Sequence, residues 1–141
     1  MYFHLSTEQK GLLKDTLWLM KQSDYHRRMS LEKMRTYVLG PLLNNKLLVV
    51  HGSGGEPFGF CTYAFLPSDR ESLYMSRPGS LDISDFESED GTLWCIDFAA
   101  PNGGCRSIIR RMREFFEMRY GHGTKARIFR TRKNRYGWMY S

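Results

Sequence analysis

The chain has 141 residues, enough for one compact domain with a real core and too few for two. With 41% hydrophobic and 26% charged residues it excludes wholesale disorder, and no apolar run is long enough for a membrane-spanning helix. The formal net charge of +6 is concentrated late: Arg106, Arg110, Arg111, Arg113, Arg119, Lys125, Arg127, Arg130, Arg132, Lys133 and Arg135 face only Glu114 and Glu117, whereas residues 1–105 are slightly acidic.

Ser6 followed by Gln9 has the form of a capping box and predicts a helix from about Thr7 to Gln22, with Leu13, Leu17 and Met20 at helical spacing. A polar break, Ser23-Asp-Tyr-His26-Arg-Arg, precedes a second helix from near Ser30, which Gly40-Pro41 is expected to weaken. Lys46–Val50 reads as a strand, Gly52–Gly55 as a hairpin turn and Pro57–Phe65 as the returning strand. Residues 66–91 read as polar and irregular, with one short helical turn around Ser84–Phe86. Leu93–Ala100 is a strand broken by Pro101–Gly104, and Cys105–Tyr120 is a helix with Ile108, Met112 and Phe115 or Phe116 on its apolar face. Gly121-His-Gly123 ends that helix, Lys125–Thr131 is a last strand, and an aromatic and basic tail follows. The order predicts a single α+β domain over residues 1–141, a mostly antiparallel sheet flanked by helices, with residues 133–141 as its tail.

The opening Met1-Tyr-Phe-His-Leu-Ser-Thr-Glu lacks a basic segment before an apolar core, so no signal peptide is expected. Cys61, Cys95 and Cys105 have no metal-ligand spacing and suit reduced thiols in a cytoplasmic setting, bacterial or virus-encoded; no metal site is expected. His4, His51 and His122 sit near termini or turns and read as solvated.

Three places carry chemistry. Alternation along the strand puts Trp94, Ile96 and Phe98 on one side and Cys95, Asp97 and Ala99 on the other, which leaves Asp97 as an acid in an apolar strand. An unpaired carboxylate there is costly, so Asp97 needs a partner, whether an arginine, backbone amides or a catalytic group. The Asn102-Gly103-Gly104 turn between strand and helix lets backbone N–H groups approach an anion, although most such turns are only turns. His26 in a polar linker reads either as a surface residue or as a general base, since imidazole suits that task near neutral pH.

Ser23-x-x-His26, Val38-Leu39, Phe60-Cys61-Thr-Tyr-Ala64-x-Leu66 and Trp94-Cys-Ile-Asp97-Phe-Ala-Ala-Pro101 resemble, in order and spacing, the toxin-activating lysine acyltransferases that mature bacterial RTX hemolysins. Met112-Arg113-x-x-Phe116 and Ala126-Arg-Ile-Phe-Arg130 are similar to that family's final helix and strand, so the resemblance runs from about Leu19 to Arg132. It implies a fold like the Gcn5-related acyltransferases and transfer of a fatty acyl group from acyl carrier protein to lysine side chains of a protein acceptor. It implies that His26 and Asp97 are catalytic and that Ser23 supports the histidine. By analogy with the Gcn5-related fold, Asn102, Gly103, Gly104, Arg106 and Arg110 would hold the donor's phosphopantetheine arm, with no permanently bound cofactor. The arginines from Arg106 to Arg119 would meet the acidic carrier protein. The chain departs from the family at Arg28 and Met29, where a tryptophan is often found, and in its basic, aromatic tail.

Two other readings compete. The fold can be kept, catalytically idle, as a structural or assembly module, in a virus particle for instance; under any reading the partners can include further copies, in a homodimer or a larger assembly. Alternatively Tyr136, Trp138 and Tyr140 among the basic residues of the tail would stack on nucleic acid, the least favoured of the three. The enzyme reading requires His26 and Asp97 to face each other, directly or through water, in a cleft open to solvent; an Asp97 locked onto an arginine with His26 far away would favour the assembly module.

Overall fold

The computed structural model describes residues 4–129 in full and residues 130 and 135–140 as backbone. Helix α1 spans Thr7–Met20, and its capping box forms as expected, Gln9 N–H donating to Ser6 Oγ at 3.1 Å and Ser6 N–H to Gln9 Oε1 at 3.0 Å. It ends at Met20, and the following turn reaches a single 3-10 turn at His26–Arg28. A continuous helical segment follows as α2 (Leu31–Met34), a π-helical turn (Arg35–Leu39) and α3 (Gly40–Leu43). Gly40-Pro41 therefore does not break it. The extra residue is absorbed one turn earlier by π geometry, so Pro41 enters near the start of α3, where its missing N–H costs little.

Strands β1 (Leu47–His51), β2 (Pro57–Leu66), β3 (Thr92–Ala99), β4 (Lys125–Arg130) and β5 (Arg135–Tyr140) form one sheet in the order β1-β2-β3-β4-β5. All neighbours are antiparallel except β3 and β4, which run parallel and are joined by α5 (Cys105–Tyr120). The fold is thus α+β with a mixed sheet and flanking helices. The segment read as a tail supplies a strand: Arg135–Tyr140 pairs with β4, while residues 131–134 and 141 and the side chains of the tail aromatics lie outside the described residues.

The 66–91 segment is also more ordered than its composition suggests. It holds α4 (Ser68–Ser76) and a 3-10 turn at Ile83–Phe86. Tyr74, Leu81 and Phe86 from this segment pack with Ala64, Leu66 and Trp94 of the sheet. Few apolar anchors in a polar stretch hide such an element from periodicity.

The sheet has a core on each face. Helix α5 lays Ile108, Met112 and Phe116 on Cys61, Tyr63, Leu93 and Cys95. On the opposite face Leu19 and Met20 of α1, with Val38 and Leu42, cover Leu47, Phe60 and Ala99. Gly59 lets α5 approach closely: a Cβ there would stand 2.0 Å from Ile108 Cδ1 and 3.0 Å from the Ala99 carbonyl.

The strict alternation expected for β3 fails at one point. Thr62 pairs with Asp97 but Tyr63 pairs with Cys95, so Ile96 is the extra residue of a β-bulge. Trp94 and Ile96 pack in one cluster, and Cys95 and Phe98 share the α5 face. Ala99 lies on the α1 face, opposite Phe60. The bulge turns Asp97 away from α5 and toward the segment that carries His26.

Candidate active site

The break after α1 is what brings His26 inward. Backbone N–H groups of Gln22 and Ser23 donate to the carbonyls of Leu19 and Met20, tightening the helix end, and Arg27 N–H then donates to Ser23 O. The resulting turn swings the imidazole over the sheet, where it is only 5% exposed. Its ring stands edge-on to Phe60 of β2, centroids 5.3 Å apart, and to Tyr25, 4.9 Å apart. Of the two readings of His26, surface residue or general base, the surface one does not hold.

Both ring nitrogens are engaged. His26 Nε2 lies 2.7 Å from Asp97 Oδ1, and His26 Nδ1 lies 2.6 Å from Ser23 Oγ. Asp97, 13% exposed, also accepts the Phe98 backbone N–H at 2.8 Å on the same oxygen. An ionised carboxylate only accepts, so the imidazole proton sits on Nε2 and points at Asp97. In the neutral ring Nδ1 is then the bare nitrogen and accepts a hydrogen bond from the Ser23 hydroxyl. Ser23 is only half-buried, so the chain of bonds runs from solvent through Ser23 and His26 to Asp97. Partial loss of solvent around the Tyr25 phenol, and next the Asp97 charge, push it above its ordinary value, although the side chain as a whole stays exposed.

Asn102, Gly103 and Gly104 form the turn between β3 and α5, with Gly103 and Gly104 at φ of 91° and 81°, a left-handed backbone that favours glycine. Asn102 Nδ2 donates to Gln22 Oε1 at 2.7 Å, so this turn is tied to the residue immediately before Ser23. Gln22 was not singled out from the sequence. Nothing in a Lys-Gln-Ser-Asp string marks a contact 80 positions away. Arg106 and Arg110 are exposed on the first turns of α5, at the end of the helix that this turn opens.

The remaining candidates separate from this constellation. Cys61 and Cys95 are buried with sulfurs 3.6 Å apart, and burial pushes the Cys61 thiol up, against any thiolate role. Cys105 is exposed at the start of α5. His51, read as solvated, pairs with Asp15 of α1 at 3.0 Å while staying partly exposed. Among the described residues no group of three His, Cys, Asp or Glu side chains is placed to hold a metal ion, and no helix is long and apolar enough to cross a membrane.

Comparison with known proteins finds a family and relatives for the chain. The model of the RTX toxin acyltransferase family matches residues 6–135. The chain is 29% identical over 124 residues to the RTX-II toxin-activating lysine-acyltransferase ApxIIC of Actinobacillus pleuropneumoniae, covering 88% of this chain and 75% of that protein. It is 31% identical over 105 residues to the RTX-I toxin-activating lysine-acyltransferase ApxIC of the same organism, covering 74% and 60%. It is 30% identical over 99 residues to the protein-lysine myristoyltransferase RtxC of Kingella kingae, covering 70% and 58%. The chain thus spans about three fifths of the length of the last two relatives.

Proposed function

This chain belongs to the RTX toxin acyltransferase family, and from that premise we propose that it moves a fatty acyl group from acyl carrier protein to lysine side chains of a protein acceptor. The observation that carries the reading is the bonded series Ser23–His26–Asp97, with 2.6 Å and 2.7 Å links between residues up to 71 positions apart. A buried imidazole held at both nitrogens is costly to build for structure alone, and it is the arrangement that amide formation from a thioester needs.

In this reading the acceptor amine attacks the thioester carbonyl of the donor. The nitrogen must shed a proton as its bond to carbon forms. Ser23 takes that proton while giving its own to His26 Nδ1, and Asp97 stabilises the imidazolium that results. Collapse of the tetrahedral intermediate breaks the carbon–sulfur bond, releases the amide and returns the thiol to the carrier arm, which regains the proton. The Asn102–Gly104 turn, tied to Gln22, and the exposed Arg106 and Arg110 hold that arm. A Gcn5-related fold is the finer reading that fits the mixed sheet, in which β3 and β4 run parallel and are joined by α5 while the other neighbours are antiparallel.

The test is mass spectrometry of the purified protein with long-chain acyl carrier protein, alone and with a lysine-containing acceptor. Acyl groups leave the carrier in the wild type and not in His26→Ala, and Asp97→Asn, which keeps the shape but loses the charge, slows transfer by about a hundredfold or more. Consumption of the donor that is indifferent to both substitutions would sink this reading, and absence of consumption would favour the idle module.

A further inference from the structure

Beside His26 the surface opens into a cavity of about 510 Å³ lined by Asp24, Tyr25, Arg28, Met29, Ser30 and Lys33. It adjoins the candidate site directly, because the Tyr25 ring that forms part of its wall touches the His26 ring. Its charges do not cancel. Asp24 is engaged by Arg27 at 2.9 Å, while among the described residues neither Arg28 nor Lys33 has a carboxylate partner. Both are exposed, and the Ser30 hydroxyl is occupied in accepting the Lys33 backbone N–H.

A lysine acceptor reaching Ser23 and His26 brings its own positive charge to this rim. In a neutral or basic sequence it is repelled by Arg28 and Lys33. Carboxylates on neighbouring residues of the acceptor would offset that repulsion and pair with the two cations.

We propose that this cavity is the acceptor subsite and that it selects lysines flanked by aspartate or glutamate, whose carboxylates dock on Arg28 and Lys33. The proposal rests on the acyl-transfer reading and specifies its acceptor as an acidic peptide segment.

Fluorescent peptides of equal length, each with one lysine flanked by Glu, Gln or Arg, are titrated into the full chain at low salt without donor and followed by anisotropy. The Glu-flanked peptide should bind about three- to tenfold more tightly than the Gln-flanked one, as two exposed ion pairs permit, and salt should erase the difference. In Arg28→Glu/Lys33→Glu the preference should pass to the Arg-flanked peptide, and in the milder Arg28→Gln/Lys33→Gln it should vanish, circular dichroism showing the fold intact. With acyl carrier protein added, the same ranking should appear in KM rather than kcat.

Equal binding of the Glu- and Gln-flanked peptides overturns the proposal. So does a preference that survives at Arg28 and Lys33 and disappears in Arg106→Glu/Arg110→Glu, which would trace it to α5. A loss of transfer in the charge-reversed variant that is the same for all peptides also overturns it, since the cavity would then hold the donor. If no peptide is acylated and the donor is untouched, the acyl-transfer reading fails, and the anisotropy ranking still decides the subsite independently.

Discussion

His26 and Asp97 meet because of two local irregularities, each a residue or two long. The turn after α1 drops the imidazole onto Phe60, and the bulge at Ile96 rotates Asp97 to the same face. Thr62 is the residue directly opposite Asp97, so the two side chains share that face, and Thr62 Oγ1 is fully buried with no hydrogen-bond partner among the described residues. A buried hydroxyl without a partner costs roughly 1–3 kcal/mol relative to an apolar group of the same shape. Thr62→Val should therefore raise the melting temperature, read by calorimetry. If stability rises but acyl transfer falls, the hydroxyl serves the reacting groups. If stability drops, Thr62 is satisfied in the protein and its burial has another cause. At this scale the residue types were legible in the sequence: an acid in an apolar strand demanded a partner, and a Ser-x-x-His string offered one. Their juxtaposition across 71 positions was implied only by the family resemblance, because neither the bulge nor the buried turn leaves a mark in periodicity.

The elements themselves were largely written in local signals. The capping box of α1, the glycine turn between β1 and β2 and the apolar face of α5 each follow from spacing alone. The segment between β2 and β3 was harder, because its order comes from long-range anchors rather than from its own pattern. Lys46, just before β1, is 2% exposed and donates from Nζ to the carbonyls of Phe86 and Ser88 at 2.6 and 2.7 Å, with Glu89 Oε1 at 3.3 Å. Arg70 of α4 makes a two-pronged contact with Asp85, at 2.6 and 2.7 Å. A lysine at a strand end gives no hint of such a role. Lys46→Met keeps the length of the side chain but leaves two carbonyls without their donor, at a cost of about 2–4 kcal/mol. The melting temperature should fall, and amide exchange should quicken first from 83 to 90. Uniformly faster exchange with no local signature would mean that Lys46 acts on the sheet rather than on this segment.

At the scale of the molecule, charge and fold divide the work between the two faces of the sheet. The helices that precede β1 bring Ser23 and His26 to one face, while α5 covers the other and presents Arg106, Arg110, Arg111, Arg113 and Arg119 to solvent. The five arginines of α5, visible in the sequence as charge alone, thus form an exposed helical face that begins beside the Asn102–Gly104 turn. Ile108, Met112 and Phe116 hold the inner side of that helix at less than 3% exposure, so charge reversal on the outer side should leave the core intact. If the donor is an acidic carrier protein, association should be steered by this face and should weaken steeply with salt. Arg106→Glu/Arg110→Glu/Arg113→Glu should lower the affinity for acyl carrier protein by about tenfold or more and flatten the salt dependence, acting mainly on the association rate. Surface plasmon resonance across a salt series gives both quantities, and a melting curve checks the fold. If the arginines only dock the donor, the same variant should transfer acyl groups at a normal rate once the carrier is saturating, because Ser23, His26 and Asp97 are untouched. A fall in that saturated rate with carrier affinity unchanged would move the arginines from docking to chemistry. Carrier binding untouched in both respects would mean that the donor is held elsewhere, and that the positive charge of α5 serves a different anionic partner.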